Sequence, residues 1–178
     1  AEVNKPLTDI AVVSDFPQIW REMRPNLTIA PHAEVLALRE GAHDAVIHAM
    51  GLHWANDPVG QLVQARRALR PDGLLIALMF GGQTLHALRA SLAQAEAEVS
   101  GGLSPRVLPM AEIRDLGGLL QRAGLALPVA DSFTKTLIYR DLPHLMRDLR
   151  AFGEGSALAA RPRHFARRAI FTRAAEIY

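Results

Sequence analysis

Apolar positions fall into short unbroken runs, separated by segments with helical spacing. Asp9-Ile-Ala-Val-Val-Ser14 is rich in β-branched residues and apolar on both faces, the pattern of a buried parallel strand. Pro17 stands at a first helical position, and Gln18–Arg24 predicts a short helix ended by Pro25. Leu27-Thr-Ile-Ala30 reads as a second strand and Asp44-Ala-Val-Ile-His-Ala49 as a third. Asp57-Pro58 supplies an N-cap and N1 pair, after which Val59, Leu62, Val63 and Leu69 recur at helical spacing. Arg70-Pro-Asp-Gly73 predicts a turn that stops this helix. Leu74-Leu-Ile-Ala-Leu-Met-Phe80, seven apolar residues in succession, is the strongest strand signal in the chain.

The alternation continues. Gly81-Gly82 breaks the strand, and Thr84–Ser100 reads as a long helix closed by Gly101-Gly102. Leu103–Pro109 is a loop with two prolines, and Met110–Ala123 a helix with Gly124 at its C′ position. Ala126–Ala130 and Thr134–Arg140 are close enough to pair as an antiparallel ribbon. Asp141 caps a helix running to about Phe152, with Leu142, Leu145, Met146 and Leu149 on its apolar face, and the remainder reads as a basic helical tail. No repeat or low-complexity linker divides the chain, so residues 1–178 are expected to form a single domain. Strands alternating with helices predict an α/β, doubly wound sheet, mostly parallel, with the antiparallel ribbon at its C-terminal end.

Composition narrows the chemistry. The 178 residues are 49% hydrophobic, enough for a full core. The absence of cysteine removes disulfides, thiolate metal sites and cysteine nucleophiles. No apolar run reaches ~18 residues, so no membrane-spanning helix is expected. The opening AEVNKPLTD is not a secretory signal, and we read the chain as a cytoplasmic, bacterial protein. It lacks an initiator Met and ends within the helix-like RRAIFTRAAEIY, so a longer polypeptide is expected. Seven histidines raise the question of a metal. His43, His48 and His53 recur every five residues, which suits neither a helix face nor one strand face, and no metal site is expected.

The net charge of +2 is unevenly spread. Residues 140–178 hold 8 Arg against 4 acids, leaving the rest of the chain at −2. On a helix, Arg161, His164 and Arg168 would share one face, and Arg163 and Arg167 an adjacent one, with Arg173 beyond them. An acidic partner and a solvated helix face are both open. Nucleic acid is not favoured, because no interleaved aromatics are present to stack bases.

In a doubly wound sheet ligands bind at the carboxyl ends of the strands. The candidates are Ser14, Asp15 and Phe16 after the first strand, Met50 to Trp54 after the third, and Phe80 to Gln83 after the fourth. DAVIHAMGLHWANDP, LRPDGLLIALMFGGQTLHALR and GGLSPRVLPMAEIRDLGGLLQRAGL, in this order and spacing, resemble class I S-adenosylmethionine-dependent methyltransferases. The nearest branch holds the malonyl-carrier-protein methyltransferase of biotin synthesis and the mitochondrial complex I assembly factor that is an arginine hydroxylase. The resemblance covers roughly Asp44 to Tyr178. It implies a Rossmann-like sheet and S-adenosylmethionine as cofactor, over Ser14, Asp15, Glu34, His48, Ala49 and Met50. It also implies a protein or small-molecule methyl acceptor near His53, Trp54, Gly82 and the Leu103–Pro109 loop.

The first quarter departs from that pattern. The family's glycine-rich turn, D-x-G-x-G-x-G, is replaced by the glycine-free IAVVSDFPQIW. Only 19 residues, Pro25 to His43, stand before the third strand, which shortens the N-terminal half. Ile29-Ala-Pro31 stands where an acidic residue would hold the ribose, and the adenine-side acidic position falls at His32 or Glu34.

Two functions stay open. One is a methyltransferase, which needs positioning of two reactants more than an acid–base pair, so no catalytic residue is assigned. The other is a catalytically impaired pseudo-methyltransferase acting as a binding or assembly factor, for example for a respiratory complex. Hydroxylation is a third reading, but no set of two histidines and a carboxylate is evident. Blander roles also remain: Trp54 as core packing, Asp15 as a helix cap, and Gly153-Glu-Gly155-Ser-Ala-Leu158 as an inter-helix loop.

Overall fold

In the computed structural model of the chain, the described residues are 6–163 and 165–178. They form two compact units. One holds the chain up to Gly82 together with Ala111–Ser132; the other holds Gln83–Met110 and Phe133–Tyr178.

The first unit is built on a four-stranded parallel sheet: β1 (Ile10–Val13), β2 (Thr28–Ala30), β3 (His43–Ala49) and β4 (Leu69–Leu78), in spatial order β2-β1-β3-β4. The short β-branched runs form it because both faces of β1 and β3 are covered. Ala11, Val12, Val13, Ala45 and Val46 are all buried. Helix α1 (Pro17–Met23) links β1 to β2, and α2 (Pro58–Ala68) links β3 to β4. Asp57 caps α2 by accepting a hydrogen bond from the Gly60 N–H at 2.8 Å. Leu62, Ala65 and Ala68 of α2 are buried, Ala65 and Ala68 against Ala11, Val13 and Val46 of the sheet. Leu62 joins Leu52 and Ala123, the last just after α4 (Ile113–Arg122), in a second cluster that takes in Leu75, Ala77 and Met79. Fully burying such a side chain contributes about 1.5–3 kcal/mol.

The Arg70–Gly73 turn does not separate helix from strand. Strand β4 begins at Leu69, directly after α2, and absorbs the turn as an irregularity. Its register jumps from His43 opposite Leu69 to Ala45 opposite Leu74, with Asp72 at φ +61°. Leu75 and Ala77 pack inward, whereas Leu74, Ile76 and Leu78 on the other face are 40–47% exposed, so β4 is buried on one face only.

The second unit is helical: α3 (His86–Ser100), α5 (Leu142–Ala151) and α6 (Arg168–Ile177). Leu88, Leu92 and Ala95 pack with Leu142, Leu145, Ile170 and Ala174. Glu96, buried on α3, holds the Leu103–Pro109 loop: it takes two hydrogen bonds from Arg106, at 3.1 and 2.6 Å, and one from the Ser104 N–H at 3.0 Å.

Two expectations for the C-terminal half are corrected. The antiparallel ribbon is not formed: no strand is present in residues 126–140. Leu127 takes a left-handed φ of +50° and Pro128 has no N–H to donate, so a ladder cannot propagate through them. The stretch also crosses from one unit to the other at Ser132 and Phe133. Nor is the basic tail a continuous helix. Gly153 (φ +77°) ends α5 and Pro162 interrupts the stretch after it, so helix resumes only at Arg168. The shared face of Arg161 and Arg168 is therefore not formed, and His164 lies outside the described residues. Gly153–Leu158 is the expected loop. No helix among the described residues is long and apolar enough to cross a membrane.

Candidate functional site

From β1 the chain moves to β2 on one side, then crosses to β3 and β4 on the other. The order therefore reverses between β1 and β3, and in open α/β sheets ligands bind outside the carboxyl ends of the strands at such a point. Ser14 and Asp15 leave β1 there, and Met50 and Gly51 leave β3 after its last residue, Ala49.

Ser14 is buried; its N–H donates to the Ala30 carbonyl at 2.9 Å, and its hydroxyl accepts the Phe16 N–H at 3.2 Å. Asp15 is exposed, and its Oδ1 accepts the His32 N–H at 2.9 Å. This bond ties the exit of β1 to the exit of β2. The His32 ring meets the His48 ring edge-on at 4.6 Å, and its Nε2 lies 3.5 Å from the Ala49 carbonyl oxygen. The same ring closes over Gly51, where any Cβ would stand 1.7 Å from His32 Nε2. Only glycine fits beneath it.

His48 is fully buried on β3. Its Nε2 lies 3.2 Å from Gln61 Oε1, while the amide nitrogen of Gln61 donates to the Ala33 carbonyl. That second bond orients the amide with its oxygen toward His48, so Nε2 carries the proton. Nδ1 is then a bare acceptor, buried and without a hydrogen-bond partner. Burial lowers the His48 pKa to about 4; the Gln61 bond opposes the shift, and the neighbouring His32 and His53 add to it. His48 is neutral at pH 7.

Glu34 enters through its main-chain carbonyl, which accepts the Gln64 side chain at 2.8 Å; its own side chain is exposed. Gln64 Oε1 in turn accepts the Leu36 N–H at 2.7 Å, so α2 fixes the segment after β2. Met50 adopts φ +56° and donates its N–H to the Leu78 carbonyl at 2.8 Å. His53 and Trp54 lie on a 3₁₀ turn, Leu52–Trp54. The His53 ring lies 5.3 Å from Trp54 and 5.2 Å from Phe80, an aromatic group at the exits of β3 and β4. Gly82 takes φ +55° and donates to the Ala111 carbonyl at 2.9 Å. The Leu103–Pro109 loop belongs to the other unit.

Comparison with known proteins matches this frame. A family model described as a methyltransferase domain matches residues 12–77, from within β1 to within β4, and so spans both sides of the reversal. The chain is 39% identical over 132 residues to human Arginine-hydroxylase NDUFAF5, mitochondrial, a match covering 74% of this chain and 38% of that protein. It is 34% identical over 154 residues to the Malonyl-[acyl-carrier protein] O-methyltransferase of Xylella fastidiosa (strain M23), covering 86% and 50%. The chain thus carries a methyltransferase domain, with homologues in two branches of the class I S-adenosylmethionine-dependent methyltransferases. It spans half or less of the length of these relatives. A chain of the complex between the Haloferax volcanii Trm112 methyltransferase activator and a methyltransferase shares the fold, at a TM-score of 0.51 and 13% identity over 85% of this chain and 82% of that one.

Within this methyltransferase domain, the structure gathers Ser14, Asp15, His48, Ala49 and Met50 around the β1–β3 reversal. Sequence reasoning missed Gln61 and Gln64 and left His32 as an alternative to Glu34. The signal was present: two glutamines three apart, one of them on the buried face of α2 beside Leu62 and Ala65, must find polar partners inside.

Proposed function

We propose that the chain is a methyltransferase-like protein that binds S-adenosylmethionine at the β1–β3 reversal and presents its methyl group to a protein or small-molecule acceptor. The carrying observation is the exposed Asp15 carboxylate at the exit of β1, on the next strand to the buried, unpartnered His48 Nδ1 near the end of β3. These groups suit the cofactor. A carboxylate leaving a parallel strand accepts hydrogen bonds from vicinal ribose hydroxyls. A buried acceptor without a donor fits an amino group, and both adenine and methionine carry one. A neutral His48 also avoids repulsion with a positively charged sulfonium. When bound, the cofactor supplies a methyl group on that sulfonium sulfur. The chain's own residues bind and orient. Asp15 and His48 hold the adenosine side, the His32 ring on Gly51 closes one flank, and His53, Trp54 and Gly82 border the acceptor.

A second reading, a binding or assembly factor without transfer, is supported by Phe16-Pro17, which stands where a glycine-rich turn would let the backbone approach methionine. Calorimetry with S-adenosylhomocysteine and S-adenosylmethionine separates the two. Binding in the micromolar range is expected. Asp15→Asn should weaken it roughly tenfold, about 1.4 kcal/mol, with little change in thermal midpoint. No heat at millimolar ligand would sink the cofactor reading and leave the second.

A further inference from the structure

Between α5 and α6 the second unit carries a segment rich in arginine. From Gly155 to Ala175 there is no acidic residue. Arg161, Arg163, Arg167 and Arg168 are all exposed. Arg173, further on, is neutralised by Glu98 at 2.6 Å and Glu176 at 2.8 Å. Among the described residues none of the other four has a carboxylate partner; Arg161 donates to the Ser156 carbonyl at 2.6 Å. Phe165 stands among them with its ring wholly exposed. A hollow of about 670 Å³ is lined by Ala157, Leu158 and Pro162, with Arg161, Arg163 and Phe165.

Four cations, an exposed aromatic and an apolar hollow within some twelve residues describe one kind of surface. Exposed Phe is uncommon away from interfaces, where aromatics act as anchors and arginines surround them. The complementary surface carries apolar side chains to fill the hollow and carboxylates to meet the arginines. An amphipathic helix with acidic residues beside its apolar stripe has both. A nucleic acid is less well matched. One aromatic offers no series of stacking platforms, and the remainder of the chain is net negative. We infer that residues 155–163 and 165–168 form a docking surface for an acidic amphipathic helix of a partner protein. This surface does not depend on cofactor binding, so it stands or falls separately from the methyl-transfer reading.

Fluorescence anisotropy with the intact protein tests it. The probe is a labelled helix-forming peptide with a leucine stripe flanked by glutamates; a glutamine-for-glutamate version and a labelled oligothymidine serve as controls. The glutamate peptide should bind in the micromolar range at low salt and weaken about tenfold on moving to several times that ionic strength. The glutamine peptide should bind at least about tenfold more weakly. Joint Arg161→Gln, Arg163→Gln, Arg167→Gln and Arg168→Gln substitution should abolish binding without lowering the thermal midpoint, because these side chains are exposed. Phe165→Ala should weaken binding severalfold at every salt concentration, since its contribution is not charge. Equal binding of the two peptides, undiminished binding by the fourfold variant, or tighter binding of the oligonucleotide would each overturn the assignment.

Discussion

At the amino end of β3, His43 is buried with its Nδ1 2.7 Å from the Asp9 carboxylate. Beside it the buried Asp44 accepts hydrogen bonds from the Thr8 hydroxyl at 2.9 Å, the Asp9 N–H at 3.0 Å and Arg70 at 2.9 Å. The Asp9 N–H, with Arg70 and Thr8, holds the Asp44 carboxyl far below the usual carboxylate range. At the carboxyl end, His48 meets a neutral amide instead, and burial drives its pKa down to about 4. One strand thus carries two buried histidines in opposite surroundings. The amino end is ionic and ties Asp9, Asp44 and Arg70 into one network across three strands. At the carboxyl end His48 and Gln61 form an uncharged pair, and His48 Nδ1 has no hydrogen-bond partner. The same strand thus holds an ionic network at one end and a neutral imidazole–amide pair at the other.

Substitutions can break this contrast. The largest effect is expected from Asp44→Asn, which removes the charge facing Arg70 and turns an amide against backbone donors. The urea midpoint should fall by more than for any other change proposed here. A midpoint near wild type would show that the amino-end network is dispensable.

His48→Leu sharpens the comparison through pH. Folding keeps His48 deprotonated, whereas the unfolded chain protonates it near 6.5. Its contribution is therefore complete above pH 6.5 and is lost as pH falls toward 4, on the order of 3 kcal/mol in all. Asp44 acts in a lower window. Its folded pKa is depressed, so its contribution is present above the ordinary carboxylate pKa and disappears only in stronger acid. Denaturation midpoints measured from pH 7 to 4 should fall in the wild type and flatten in His48→Leu. Parallel curves would mean that His48 is not held neutral.

Gly51→Ala should cost about 1–3 kcal/mol, because a methyl group cannot coexist with the His32 ring in place. Combining it with His32→Ala should recover most of the loss, the non-additivity expected of two groups in contact. A fully additive double variant would place the ring elsewhere. The smallest effect is that of Asp57→Ala, about 1 kcal/mol, from loss of the α2 cap. Because α2 carries Gln61 and Gln64, the His48 titration should move slightly with it; the imidazole proton signals report this.

The β-branched runs at Ile10–Val13 and His43–Ala49 were readable as strands because burial on both faces leaves an apolar run that no helix period explains. The Asp57-Pro58 and Asp141 caps were equally readable, since a cap depends on residues adjacent in the chain. The ribbon over 126–140 was misjudged because a strand needs a neighbour, and no local pattern states whether one is available. The basic tail was misjudged for a related reason. Helical spacing places arginines on a face only if the helix persists through Pro162.

The site divides along the same line. Ser14, Asp15 and Met50 could be named as strand exits from the alternation of elements alone, while Ala49 came from the family resemblance. The reversal between β1 and β3, the His32 ring seated on Gly51, and the amide that sets the proton on His48 join residues that lie far apart in the chain. The sequence by itself determined the elements whose signals are local, the apolar runs of β1 and β3 and the capped starts of α2 and α5, because propensity, capping and apolar period act between near neighbours in the chain. Only the tertiary structure decided which strand lies beside which. That order sets the Asp9–Asp44–Arg70 network at one end of β3 and the neutral His48–Gln61 pair at the other.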